Sequence, residues 1–154
     1  MFNLALPHVW ILFLTSAISI LVGWIAWQRR TVAGGKILAL AMLFLAQWTL
    51  SAGIEAAVID QGAKIFWSKV EYIGFTAIPG LLLVFILHYT RELKRISWTT
   101  IFIIWILPLI TLIMAWTNEL HHLIWSSFEP GSPFLNVLIY NHGTFFWIYT
   151  AYLY

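Results

Sequence analysis

Charged residues are scarce in this 154-residue sequence: Asp, Glu, Lys and Arg together make up 9%, whereas hydrophobic residues make up 62%. A soluble domain has about 25% charged residues, because its surface faces water. This composition therefore excludes a soluble globular domain. It also excludes a disordered chain, because disorder requires low hydrophobicity and high net charge.

Cysteine is absent, which excludes disulfides, thiolate metal sites and thiol catalysis. The net charge is only +2, and the basic residues form short clusters instead of one patch, so no nucleic-acid partner is expected. The sequence also lacks the H-E-x-x-H zinc motif, the G-x-S-x-G nucleophile elbow and a Gly-rich phosphate loop. We therefore expect no enzyme in this stretch of sequence, with no catalytic residue, no metal and no cofactor.

Long apolar runs dominate the sequence instead. A transmembrane helix needs about 20 mostly apolar residues, and four runs meet that length, at 7–28, 37–59, 66–90 and 98–117. A fifth run, 143–154, is too short to cross a bilayer. The runs lack the period-two alternation of barrel strands. The sequence thus predicts an all-α, polytopic transmembrane helical bundle, and we expect the chain to be a fragment cut inside its fifth helix.

The distribution of Lys and Arg predicts the orientation of this bundle, because cytoplasmic loops carry the excess of positive charge. The two loops after the first and third runs are the basic ones, with Arg29, Arg30 and Lys36 in one and Arg91, Lys94 and Arg95 in the other. Only Lys64 and Lys69 lie near the second loop, and segment 118–142 has none. We therefore expect the N-terminus outside and a multi-pass location in the inner (plasma) membrane.

Segment 118–142 is the long outer loop of this topology. Pro130-Gly131 and Ser132-Pro133 are turn signals within it. Residues 134–140 are apolar and β-prone, which predicts a short strand or hairpin outside the membrane.

Two prolines, Pro79 and Pro108, fall near the middle of the third and fourth runs. Proline removes a backbone hydrogen bond from a helix and kinks it. We expect kinks that shape helix packing at both positions, and the alternative is that the kinked helices relay a signal.

Glu55 and Glu71 are the most informative charges, because each lies about one turn inside the outer end of its predicted helix. A carboxylate in the membrane is costly and marks a functional site by default. The two carboxylates could line a polar pocket open to the outside. The alternative is that Lys64, Lys69 or interfacial water simply neutralises them.

His121 and His122 lie in the outer loop together with Glu119 and Glu129. Histidines and carboxylates can bind a metal, but adjacent histidines are poorly spaced for chelation from a helix. We expect no metal site, and instead local hydrogen bonds that pack Trp125 onto the helix ends.

Several strings occur together in a characteristic order. They are Phe66-Trp67-Ser68-Lys69-Val70-Glu71-Tyr72-Ile73-Gly74, then Pro79 and Leu87-His88-Tyr89-Thr90, then Asn118-Glu119-Leu120-His121-His122-Leu123-Ile124-Trp125, and finally His142-Gly143-Thr144-Phe145-Phe146-Trp147 with Tyr152 and Tyr154. Over about residues 55–154, the sequence resembles the seven-helix N-terminal region of membrane sensor histidine kinases.

The resemblance implies a sensory input module with seven helices, followed by cytoplasmic PAS and kinase domains or by a cyclic-dinucleotide synthase domain. The full-length protein would then be a signal-transducing histidine kinase of a two-component system, although this stretch has no phosphoacceptor motif and no ATP site. We expect a homodimer in the lipid bilayer that detects an unknown small-molecule or membrane-derived stimulus. The candidate residues for ligand binding or signalling are Glu55, Glu71, Tyr72, His121, His122 and Trp125.

A fragment of a transporter or channel is the main alternative. It predicts helices broken near the midplane, as Pro79-Gly80 suggests, but also polar residues in register along several helices, and charge is missing at mid-span. An intramembrane enzyme whose other catalytic residues follow Tyr154 predicts paired carboxylates at one depth, which Glu55 and Glu71 satisfy only in part.

Overall fold

The computed structural model describes residues 2–90, 98–131 and 136–153. Within those ranges it forms six α-helices and one two-stranded sheet. In chain order they are α1 (Pro7–Gln28), α2 (Gly35–Ala57), α3 (Gln61–Tyr89), α4 (Trp98–Trp116), α5 (Asn118–His121), β1 (Trp125–Pro130), β2 (Leu138–His142) and α6 (Thr144–Leu153). The predicted basic residues Arg91, Lys94 and Arg95, the Ser132-Pro133 turn and Tyr154 lie outside the described residues.

Four of these helices are long and apolar enough to cross a membrane, with mean hydropathies between 1.9 and 2.2. At 1.5 Å per residue, the 22 residues of α1 extend about 33 Å, which matches a hydrocarbon layer about 30 Å thick. Large apolar side chains on α1 point outward, with Trp10 57% and Leu14 61% exposed, as lipid-facing residues do. The predicted all-α transmembrane bundle is confirmed.

Helix α3 begins at Gln61, five residues before the apolar run that predicted it. The Asp60 side chain caps the helix by accepting a hydrogen bond from the Ala63 backbone N–H at 2.8 Å, and such a cap stabilises a helix start by about 1 kcal/mol. The earlier start places Glu71 ten residues into α3, about 15 Å along the axis. Glu55 lies only two residues from the end of α2, so the two carboxylates are not equally far from the ends of their helices.

Helix α2 packs against both α1 and α3, and α3 also packs against α4. Small residues occupy these contacts: Ala41 and Ala77 form a buried cluster with Leu81, and the Ser16 hydroxyl donates to the Ala46 carbonyl at 2.9 Å. Small side chains let helix backbones approach closely, which is the usual basis of helix association in membranes.

Both prolines lie inside continuous helices, Pro79 in α3 and Pro108 in α4. A Cβ added at Gly80 would lie 3.2 Å from Ile104 of α4, so α3 and α4 cross next to Pro79. The kinks themselves stay a prediction.

The outer loop contains an antiparallel hairpin in which Phe128 pairs with Tyr140 and a bulge lies between Trp125 and Ser127. The predicted strand at 134–140 thus corresponds to β2, which begins four residues later. Phe2 also bridges to Val58, beside the α2–α3 connection. We call the end of the bundle that carries the hairpin, the α2–α3 connection and Phe2 the hairpin end.

Candidate functional site

A cavity of about 400 Å³ opens at the hairpin end between α2, α3 and the hairpin. Two carboxylates and several aromatic rings surround it, and we call it the acidic pocket. Its lining residues are Trp48, Glu55, Ser68, Glu71, Tyr72, Phe75, Trp125, Tyr140 and His142. The structure therefore brings together four of the six residues proposed from the sequence, namely Glu55, Glu71, Tyr72 and Trp125.

The charge of Glu55 is balanced within the protein. The Lys64 ammonium lies 3.5 Å from Glu55 Oε1 and donates to the Glu55 backbone carbonyl at 2.7 Å. The Tyr140 hydroxyl donates to the same carboxylate oxygen at 2.9 Å. Lys64 is itself buried, so the two charges compensate each other in a place where either one alone would be costly.

Glu71 has no such partner. The Trp48 side chain is a neighbouring neutral donor, but no Lys, Arg or His nitrogen of the described ranges lies within 4.0 Å of the Glu71 carboxylate. Lys69, two residues away on α3, pairs with Glu119 instead. When Glu71 is ionised, the acidic pocket therefore carries one uncompensated negative charge, which is expensive in apolar surroundings.

Tyr140 connects the hairpin to both helices that form the pocket. Its hydroxyl accepts from Ser68 Oγ of α3 at 2.6 Å and donates to Glu55 of α2. Burial, and next the Glu55 carboxylate, raise the pKa of the Tyr140 phenol above its ordinary value. The phenol therefore stays protonated near neutral pH and keeps its role as donor to Glu55.

Replacing Tyr140 with phenylalanine is expected to lower the free energy of unfolding by about 1 kcal/mol, because the variant loses the hydroxyl that joins Ser68 to Glu55. The measurement is an SDS titration in mixed micelles. Tyr89→Phe is the matched control, because Tyr89 is 64% exposed and its only described contact is a ring stack with Phe85. Equal stability of the two variants would show that the hydrogen bonds of the Tyr140 hydroxyl do not stabilise the fold.

His121 and His122 do not line the acidic pocket. His121 Nδ1 accepts from the Leu123 backbone N–H at 3.0 Å, and its Nε2 lies 3.2 Å from Thr117 Oγ1. Because that hydroxyl donates to the Ile113 carbonyl, we assign the ring proton to Nε2. His122 is exposed and has a left-handed backbone with φ 54°. The expected local hydrogen bonding is therefore seen for His121.

Trp125 is held in place by Asn118, which sequence reasoning did not single out. The Asn118 amide donates to the Trp125 carbonyl at 3.0 Å, and its oxygen accepts from the Ile124 and Trp125 backbone N–H groups at 3.0 and 2.9 Å. The Trp125 ring then packs edge-to-face on Tyr72, with ring centroids 5.2 Å apart. A buried asparagine at the start of a short helix is the pattern that could have indicated this anchor.

Two further ionisable groups at the hairpin end, Glu119 and His142, have shifted pKa values. A hydrogen bond from Lys69 lowers the pKa of the Glu119 carboxyl, so this ion pair persists at neutral pH. His142 stacks on Phe146 with ring centroids 3.6 Å apart, and burial lowers the pKa of His142. At neutral pH His142 is therefore uncharged and does not balance Glu71.

A family model described as the N-terminal 7TM region of histidine kinase matches residues 11–154. No curated protein and no solved structure matches the chain. The matched range includes every residue that lines the acidic pocket.

Proposed function

This chain belongs to the family of N-terminal 7TM regions of histidine kinases, as its motifs predicted, and we propose that its acidic pocket is where the sensor receives its stimulus. The family membership makes the chain a membrane sensory region, which is not itself a catalytic domain. In this proposal the stimulus acts at the hairpin end, and the response appears in cytoplasmic kinase domains.

One observation carries the proposal: the acidic pocket is shared by α2, α3 and the hairpin, and Tyr140 hydrogen-bonds to both helices. A molecule that enters the pocket must contact all three parts. It can shift their packing only if it binds two arrangements with different affinities. Helix α3 has 29 residues, so it is about 43 Å long, and about 27 Å of it lies between Glu71 and the opposite end of the bundle.

The ion pairs support the proposed orientation, with the hairpin end outside. Lys64 and Lys69 are the lysines of this end, and both are paired with carboxylates. Arg29 and Arg30 at the opposite end are exposed, and Arg30 lies over the Trp27 ring at 5.1 Å. Among the described residues, positive charge without a carboxylate partner is therefore concentrated at the end that we place in the cytoplasm, in an inner-membrane homodimer.

The test is Glu71→Gln in the complete protein, with kinase autophosphorylation measured in membrane vesicles. We expect basal phosphorylation to change several-fold at equal protein amount, because the pocket loses the ionisable carboxyl group that no Lys, Arg or His of the described residues pairs with. Glu129→Gln is the matched control, because Glu129 is exposed on the hairpin and, among the described residues, its side chain bonds to Asn141 alone.

Unchanged phosphorylation in Glu71→Gln would contradict the proposal. A second contradiction could come from the coding DNA beyond the codon for Tyr154. If it encoded five or more further spans and no signalling domain, a transporter would explain the chain better.

A further inference from the structure

We propose that the acidic pocket binds a small organic ammonium ion, held between aromatic faces and the Glu71 carboxylate. The inference rests on the proposed function for the place of the stimulus, and it adds the chemical class of the ligand. Three properties of the pocket lead to it: its charge, its walls and its size.

The charge balance of the pocket favours a ligand with one positive charge. Lys64 and Tyr140 already satisfy Glu55, whereas Glu71 has the neutral Trp48 side chain beside it and no cationic partner among the described residues. A carboxyl group in a partly closed apolar cavity either keeps its proton or ionises with an opposite charge beside it. A ligand with a single positive charge would supply what the protein does not, and an anionic ligand would be repelled.

The walls of the pocket are suited to an organic cation. Five aromatic rings line it, and neighbouring rings are inclined to each other: Trp48 to Phe75 by 56°, Tyr72 to Trp125 by 82°, and Trp125 to Tyr140 by 49°. Inclined rings surround a space, whereas parallel rings would fill it by stacking. A cation within about 6 Å of such ring faces is attracted by their quadrupoles, and quaternary ammonium groups are recognised in this way.

Other ligand classes fit the pocket less well. The described ranges contain no group of three or more His, Cys, Asp or Glu side chains that could hold a metal ion, and Ca²⁺ takes six to eight oxygen ligands. A neutral apolar molecule would fill the cavity but leave Glu71 unpaired. The volume of about 400 Å³ lies within the range of sites for small molecules.

The experiment is a binding titration of the whole chain in nanodiscs made of phosphatidylglycerol. The probes are choline and its neutral isostere 3,3-dimethyl-1-butanol, which has the same shape without the charge. Binding is followed by tryptophan fluorescence, since Trp48 and Trp125 line the pocket, and by calorimetry. We expect choline to bind at least tenfold more tightly than the isostere.

Glu71→Gln is expected to weaken the binding of choline at least tenfold and to leave the affinity for the isostere unchanged. Glu129→Gln should change neither affinity. Trp48→Leu is the second variant, for the case that Glu71→Gln does not fold, and it should also reduce the preference for choline over the isostere. Equal binding of the two probes would overturn the proposal. So would an unchanged choline affinity in both pocket variants, and a fluorescence change that follows pH but not choline would indicate a proton in place of the cation.

The ammonium group could belong to a free solute or to a lipid headgroup. Nanodiscs that also contain phosphatidylcholine distinguish the two sources, because a headgroup that occupies the pocket would compete with added choline. Failure of the ligand class and failure of the proposed function are separable. If choline binds but does not change kinase autophosphorylation, the proposal that the pocket receives the stimulus is wrong. If Glu71→Gln changes autophosphorylation but choline does not bind, the proposed ligand class is wrong.

Discussion

Replacing Asn118 with alanine is expected to lower the free energy of unfolding by about 3 kcal/mol. The side chain is only 2% exposed, and it makes three hydrogen bonds to the backbone of Ile124 and Trp125. Alanine leaves two buried N–H groups and one carbonyl without a partner, and each unsatisfied buried group costs about 1–3 kcal/mol. Part of that cost is recovered where water or a small backbone shift reaches the freed groups.

The measurement is an SDS titration in mixed micelles, with two comparison variants. Asn118→Asp keeps an oxygen that accepts from both N–H groups but loses the donor to the Trp125 carbonyl, so its loss should be smaller. Asn141→Ala is the matched control, because within the described part of the chain the Asn141 side chain bonds to exposed groups of Ser127 and Glu129 alone. Its loss should stay below about 0.5 kcal/mol. Equal losses at the two asparagines would contradict the anchoring role.

Asn118 also matters for the acidic pocket, although it does not line it. It fixes the backbone at Trp125, the Trp125 ring packs on Tyr72, and both rings form walls of the cavity. The geometry of the ligand site therefore depends on a hydrogen-bonded corner outside the membrane-spanning helices.

The transmembrane helices were readable from the sequence because hydropathy over about 20 residues is a local property. The first run and α1 have the same bounds, 7–28. The start of α3 was missed for a physical reason: Lys64 interrupts the apolar pattern, and a sequence does not show that Lys64 is buried against Glu55. In a sequence, a lysine is taken as the boundary of a transmembrane helix, because its ion pair with a second helix is not visible.

The pocket was predictable only in part, for the same reason. A carboxylate inside the membrane is energetically costly and therefore indicates a functional site, so Glu55 and Glu71 could be proposed without knowledge of their neighbours. Tyr140 is 85 residues from Glu55 along the chain, and its position follows from the register of the hairpin, which the local pattern does not fix. His121 and His122 were proposed by residue type, but His121 bonds to Leu123 and Thr117, and His122 is exposed, so neither lines the pocket.

Replacing Gly74 with alanine is expected to lower the free energy of unfolding by about 2 kcal/mol, because α2 and α3 touch at this residue. A Cβ at Gly74 would lie 2.5 Å from the Phe44 carbonyl oxygen and 2.7 Å from Trp48 Cβ. A backbone oxygen cannot rotate away, so the helices must separate, and overpacking of this kind costs about 1–3 kcal/mol. The better helix propensity of alanine offsets at most about 1 kcal/mol.

Gly62→Ala is the matched control in the same helix, since a Cβ there would meet only the Asp60 carboxylate, at 3.2 Å. It should cause no loss of stability in the same SDS titration. A loss at Gly62 as large as at Gly74 would show that glycine content, and not the α2–α3 contact, sets the effect. The new methyl group at position 74 would clash with Trp48, which is also part of the pocket wall. Gly74→Ala should therefore also weaken choline binding, whereas Gly62→Ala should not. Helix packing and ligand recognition would then depend on the same contact, as a sensor that converts binding into helix movement requires.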